Sequence, residues 1–133
     1  KQRFSRILEN TDEFISYKGV VQYDKSVDTI KNYFALIFPT YYQGEGFAGT
    51  LLDSLASGVP IIASNWRYNS EIVKDGIVGL VYDINRKEGL EQQLEKALNN
   101  PQVILDMKTE GLEYYKKYEP SNVINNFMKI VNR

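Results

Sequence analysis

Short apolar runs alternate with stretches of helical period along this chain. Residues 14–17 are apolar and aromatic and are closed by Gly19, which predicts a first strand. Ser26 can cap a helix that carries Val27, Ile30 and Phe34 on one side. The run 35–38, stopped by Pro39, predicts a second strand. The next helix spans 50–57 and ends at Gly58. A third strand is expected over 60–63. Asn69 can cap a helix bearing Ile72 and Val73, closed near Gly76, and 79–82 reads as a fourth strand. From there the pattern is helical. Asn85 and Glu88 read as a capping pair for a helix with Leu90, Leu94, Ala97 and Leu98, ended by Asn99, Asn100 and Pro101. A further helix carries Ile104, Met107 and Tyr115, and Pro120 opens the last, with Val123, Phe127 and Ile130. The four strands are nearly all apolar rather than alternating, the habit of strands covered on both faces. Their βαβα order predicts an α/β fold with a Rossmann-like parallel sheet and flanking helices. Ligands bind such sheets at the carboxyl ends of the strands. The loops after Phe38, Ala63 and Tyr82 are therefore where chemistry is expected.

Composition narrows the chemistry. The 133 residues suit one domain, read here as a single partial domain over 1–133 with trailing helices over 86–133. A net charge of −1 provides no basic excess for a phosphate backbone, so nucleic acid is not an expected partner. Without a single cysteine there is no disulfide, thiolate metal site or cysteine nucleophile; without histidine the commonest general base and metal ligand is absent too. No metal site is expected. No apolar run approaches the roughly 18 residues of a membrane span, and no signal peptide is visible. The chain opens with Lys1 on a helix-like segment and reads as a piece of something longer.

The most informative stretch is residues 39–53, which leaves a strand and opens a helix. Gly44, Gly46 and Gly49 allow tight turning and close approach of a ligand to the backbone. The free amides at the start of the 50–57 helix form an anion site. Glu45 lies in the loop and Asp53 one turn into the helix. Carboxylates accept hydrogen bonds from sugar hydroxyls, so an acid pair beside a phosphate site suits a sugar nucleotide. Spacing alone leaves a second reading open: Thr50 and Asp53 fit a capping box, and Glu45 fits a solvated loop acid.

The run from Glu45-Gly46-Phe47 to Asp53, with seven residues between the acids, is followed by a small-residue helix and Gly58-Val59-Pro60 before a strand. It resembles the signature of retaining glycosyltransferases of the GT-B fold, the group 1 type. Ser70-Glu71-Ile72-Val73 and the residues to Val81 resemble the segment that follows in that family. The wording of 42–47 and 66–71 is most similar to transferases that build bacterial surface polysaccharides, in capsule, exopolysaccharide or lipopolysaccharide biosynthesis. The second acid departs from the family, where Glu is usual and Asp53 stands here. Ala48 stands where Gly is usual.

The resemblance implies a donor-binding C-terminal part that takes a UDP- or GDP-linked sugar and passes it to an acceptor hydroxyl with retention. Neither cofactor nor metal is implied; the leaving diphosphate assists the incoming hydroxyl. Glu45 would contact the donor sugar and Asp53 the ribose. Backbone amides of Gly46, Phe47, Ala48, Gly49, Thr50 and Leu51 would hold sugar and diphosphate, and Val20, Val21 and Lys25 would lie near the base. A glycan or lipid-linked acceptor would be bound by an N-terminal half outside this chain. In the family the donor half has more strands than the four counted here. The additional ones come earlier in sequence, sit mid-sheet and carry an Arg and a Lys for the diphosphate, so this part alone is expected to be inactive. The implied location is cytoplasmic, with peripheral placement at the inner membrane face as an option for the full protein.

Two other functions compete. A sugar-nucleotide epimerase shares the architecture but not the Glu45–Asp53 spacing, and release of free nucleoside diphosphate with and without acceptor separates it. A non-catalytic sugar-nucleotide-binding module is separated by the activity of the longer protein. Other residues were weighed against plainer roles. Trp66 and Arg67 could touch acceptor or phosphate, or pack on the surface. Tyr41 and Tyr42 could line a sugar pocket. Glu71 suits a helix start, Asp83 a turn, and 114–118 an amphipathic helix end that packs on the domain, with membrane contact as the lesser option.

Overall fold

The computed structural model describes residues 14–132. The helix-like opening lies outside them. Three strands form one parallel sheet in the order β1-β2-β3: β1 (Leu36–Phe38), β2 (Ile61–Ser64) and β3 (Gly79–Tyr82). Leu36 pairs with Ile61, and Ile61 in turn with Gly79. The helices are α1 (Ser26–Ile30), α2 (Gly49–Ala56), α3 (Asn69–Ile72), α4 (Gly89–Asn99), α5 (Pro101–Tyr115) and α6 (Pro120–Val131), with 3-10 turns at Tyr23–Lys25 and Lys116–Tyr118. The architecture is α/β and Rossmann-like.

The alternation of side chains along β2 builds two cores. Ile61 and Ala63 join Leu51, Leu55, Ile72, Val73 and Val78 on one face. Ile62 faces the other way, with Leu80, Tyr82, Ala97, Ile104 and Met107 from β3, α4 and α5. All four residues of β2 are buried. A central parallel strand covered on both faces has no use for polar alternation, which explains its continuous apolar run. Gly79 is required by this closeness: a Cβ there would stand 2.2 Å from the Ile61 carbonyl oxygen. Gly58 ends α2 at φ +68°, with its amide on the Leu55 carbonyl (3.0 Å) and the Val59 amide on the Ser54 carbonyl (3.0 Å). This is the Schellman pattern, and glycine occupies its left-handed position at no steric cost.

Four expectations need correction. Residues 14–17 form no strand: Phe14, Ile15 and Tyr17 are exposed. A strand needs a place in a hydrogen-bonded ladder, and the parallel ladder of the described residues joins β1, β2 and β3 without this run. Phe34 lies outside α1, which ends at Ile30, and is exposed. Asn69 does not cap: it is the first residue of α3, is buried, and its side-chain amide donates to the Ser64 carbonyl (3.1 Å), tying α3 to β2. Asn85 and Glu88 form no capping pair. Glu88 itself stands at the cap position without a side-chain bond, and Asn85 belongs to the turn before it. Pro101 and Pro120, by contrast, open their helices at the first turn, where the missing N–H costs nothing.

Candidate functional site

At the carboxyl end of β1 the chain leaves the sheet in the loop 39–48 and enters α2. Five hydrogen bonds hold the first half of this loop, one of them from the Tyr42 amide to the Thr40 hydroxyl oxygen (3.2 Å). The Ser64 hydroxyl donates to the Thr40 carbonyl (2.5 Å), which pins the loop to the end of β2. The Thr40 hydroxyl donates to the Glu45 carboxylate (3.1 Å). The Glu45 amide donates to the Tyr42 carbonyl (3.1 Å), and the Trp66 indole N–H donates to the same oxygen (2.7 Å). Glu45 is half-buried, with one carboxylate oxygen engaged and the other without a partner among the described residues.

The second half of the loop is different. Among the described residues the backbone amides of 46–50 find no acceptor, and Ala48, the cap residue of α2, has no side chain that could serve. The first turn of α2 carries no acid of its own. The partial positive charge of the helix start is thus left uncompensated. The Leu51 amide is already bonded to the Ala48 carbonyl (3.1 Å) and its side chain is fully buried. Ala48 is also buried, while Gly46, Phe47, Gly49 and Thr50 are exposed. The glycines of this half do not turn the chain, since neither Gly46 nor Gly49 has a positive φ. A Cβ at either would meet nothing within 4 Å. What they leave is open space beside the free amides.

Asp53 lies on α2, half-buried, and its carboxylate makes no hydrogen bond or ion pair with the described residues. The capping box is not formed, because α2 begins at Gly49 and Thr50 is already inside it. Gly49 and Asp53 are one turn apart on the same face, and helical side chains lean toward the N-terminus. The Asp53 carboxylate therefore leans toward the free amides. The structure brings Glu45, Gly46, Phe47, Ala48, Gly49, Thr50, Leu51 and Asp53 into one loop–helix unit. Val20, Val21 and Lys25 stand apart from it: all three are exposed on the segment before α1, and no hydrogen bond or ring contact joins them to 39–53. The helix that follows them, α1, packs against α2.

Three partners of the site were invisible in the sequence reading. Thr40 orients Glu45. Ser64 anchors the loop. Tyr118 meets the ring of Phe47 edge-on, with centroids 5.8 Å apart. A Thr or Ser directly after the proline that ends β1 is the one local signal that could have pointed to the first. Trp66, weighed as an acceptor contact, spends its N–H on Tyr42, and the Arg67 guanidinium lies over its ring at 5.4 Å. Tyr41 and Tyr42 are exposed and, with Pro39, Thr40 and Gln43, border a cavity of about 620 Å³. A second cavity of about 440 Å³ lies between Tyr41, Gln43, Trp66, Ile84 and Asn85. Glu71 offers its backbone carbonyl to the Tyr114 hydroxyl (3.5 Å). Among the described residues, no three acids stand close enough together to hold a metal ion, and no helix is long and apolar enough to cross a membrane.

Comparison with known proteins agrees with this picture. Two relatives are uncharacterised glycosyltransferases of Methanocaldococcus jannaschii. One is 23% identical over 124 residues, covering 93% of this chain and 35% of its own length. The other is 28% identical over 86 residues, covering 65% of this chain and 22% of its own. The chain therefore spans about a third of the first relative and less of the second. In three dimensions it is similar to the sucrose-phosphate synthase of Thermosynechococcus elongatus, with a TM-score of 0.79 and 18% identity over 99% of this chain and 33% of that one. The profile of the family described as "Glycosyl transferases group 1" matches residues 2–117, and the chain belongs to that family.

Proposed function

We propose that this chain is the donor-binding part of a retaining glycosyltransferase that moves a sugar from a UDP- or GDP-linked donor to an acceptor hydroxyl. The observation that carries the reading is the row of amides over 46–50 that find no acceptor among the described residues, flanked by two carboxylates, Glu45 and Asp53, that no described cation neutralises. Amides at a helix start suit a diphosphate. The carboxylate oxygens left open among the described residues, one on Glu45 and both on Asp53, suit sugar and ribose hydroxyls, which donate. In the transfer, the bond from the anomeric carbon to the diphosphate oxygen breaks. A bond to the acceptor oxygen forms on the same face, and the acceptor proton passes to the leaving phosphate. The protein's part is positioning and charge stabilisation. Family membership supports donor and acceptor as the two substrates; the wording of 42–47 and 66–71 supports a role in bacterial polysaccharide synthesis, in the cytoplasm.

This part alone has the helix start, worth about 0.3–1 kcal/mol for an exposed anion, and a few hydrogen bonds at about 1 kcal/mol each. Several kcal/mol of immobilisation oppose them. It should bind a sugar nucleotide no tighter than about the millimolar range and transfer nothing. The test is a nuclear magnetic resonance titration of residues 1–133 with a UDP-hexose and a GDP-hexose. The amides of 46–50 should shift first. Shifts confined to other regions would overturn the assignment.

A further inference from the structure

The first half of the loop 39–48 is held by hydrogen bonds to other parts of the loop and to β2 and Trp66; the second half, which bears the free amides, has among the described residues only the bond of the Ala48 carbonyl to the Leu51 amide within the start of α2. Something else must fix its geometry if it is to present those amides as a set. Two of its side chains reach the rest of the protein: Ala48 is buried in the core at the start of α2, and Phe47 is more than half exposed at 58%. Its ring meets the edge of Tyr118 at 5.8 Å and 61°. Tyr118 in turn meets Tyr114 at 6.0 Å and 69°. The Lys117 ammonium lies over both tyrosines, 3.3 Å from the Tyr114 centroid and 4.7 Å from that of Tyr118. The far end of this ladder is anchored where the Tyr114 hydroxyl meets the Glu71 carbonyl. Tyr114, Tyr115 and Tyr118 also pack against the core cluster that contains Ala48 and Leu51, beneath the start of α2. Edge-to-face rings within 4.5–7 Å prefer a defined angle, so such a ladder fixes orientation as well as distance.

We propose that Tyr118 is a positioning residue for the donor loop: its ring holds Phe47, and through it the amides of residues 46–50, in the arrangement that receives the diphosphate. The inference rests on the reading of that loop as the donor site. It assigns a role to the 3-10 turn at Lys116–Tyr118, which lies far from the loop in sequence. Burial first, and then the neighbouring Tyr114, push the Tyr118 phenol up to about 12, so the ladder is uncharged at its centre across the ordinary pH range. The contact is between rings, and the hydroxyl is not needed for it.

Three variants of residues 1–133 test this. Tyr118→Leu removes the ring, Tyr118→Phe keeps it, and Phe47→Leu removes the partner from the exposed side, where folding is not at stake. Heteronuclear NOEs of the amides report loop order on the picosecond–nanosecond scale, and UDP is the titrant. Tyr118→Leu and Phe47→Leu should lower the NOEs of residues 46–50, leave those of β2 unchanged and raise the UDP dissociation constant roughly three- to tenfold, the span of an aromatic pair contact. Tyr118→Phe should behave as wild type in both. Unchanged loop NOEs in Tyr118→Leu and Phe47→Leu would overturn the proposal, as would a Tyr118→Phe variant as loose as Tyr118→Leu. Should Tyr118→Leu fail to fold, Phe47→Leu decides. A wild-type chain that ignores both UDP and GDP while the NOE pattern holds would sink the donor reading and leave the ring brace standing.

Discussion

The loop after β1 and the loop after β3 leave the same sheet at the same end, and each runs into a helix, α2 in one case and α4 in the other. They use their polar groups in opposite ways. After β3, the Ile84 amide donates to the Asn65 side chain (3.0 Å), the Asn85 amide to the Asp83 carboxylate (2.9 Å), the Arg86 amide to the Asp83 carbonyl (3.1 Å) and the Gly89 amide to the Arg86 carbonyl (3.0 Å). Glu91 in the first turn of α4 answers its dipole. After β1, five consecutive amides find no partner among the described residues, the first turn of α2 has no acid, and neither nearby carboxylate is in an ion pair with them. Both loops sit where an α/β sheet binds ligands, yet one is closed upon itself and the other is open to a partner. Position at the carboxyl edge makes a loop eligible. Unspent donors and acceptors make it a site.

Swapping charge for amide in each loop should break this contrast most sharply. In the full-length transferase, Glu45→Gln should cut turnover roughly ten- to a thousandfold, about 1.4–4 kcal/mol, with affinity for the bare nucleoside diphosphate nearly unchanged. Asp83→Asn should leave turnover near wild type, because its bonds are internal to the turn. Equal losses in the two variants would erase the distinction. A smaller effect is expected at Asp53. Its carboxylate holds nothing among the described residues, so Asp53→Ala should weaken nucleotide binding by about 1–3 kcal/mol while thermal stability stays put. A mere structural residue would show the reverse. Within the open loop, Thr40→Val removes the one donor to Glu45 at nearly constant shape. Turnover should fall by about 0.5–1.5 kcal/mol, several times less than for Glu45→Gln, and a silent Thr40→Val would show that Glu45 needs no orienting bond.

The mildest prediction concerns the closed loop and acid. The Asn85 backbone amide, then the Asn85 and Asn65 side chains and Arg86, hold the Asp83 carboxyl below the usual aspartate range. A depressed folded value means that the ionised turn contributes stability above the ordinary aspartate pKa and loses it as pH falls through the depressed one. The Asn85 amide resonance should therefore keep its bonded position below the ordinary aspartate range and move only in stronger acid. A midpoint at the ordinary value, or the same transition in Asp83→Asn, would contradict the hydrogen-bonded turn.

Much of this was legible in local signals. Two of the strands were marked by apolar runs with Pro39 or a glycine at their borders, and the end of α2 by Gly58. The unit containing Glu45, the open amides and Asp53 was marked by its motif. Each of these is decided within a few residues: a fixed φ, a missing Cβ or a helix start that leaves amides free wherever it occurs. Other features had no local signature. Residues 14–17 and 61–64 are both apolar runs, but only the second lies between two strands, and hydrogen-bonded neighbours rather than composition make a strand. Asn69 looked like a cap because caps are the commonest local use of asparagine; packing against β2 gave its amide a buried carbonyl instead. The bonds from Ser64 to Thr40 and from Trp66 to Tyr42, and the ring contact of Tyr118 with Phe47, join positions that are remote along the chain. Sequence alone determined which groups this protein could offer a ligand. Tertiary structure decided which of them stayed unspent, because a donor is free only when no other part of the folded chain has reached it.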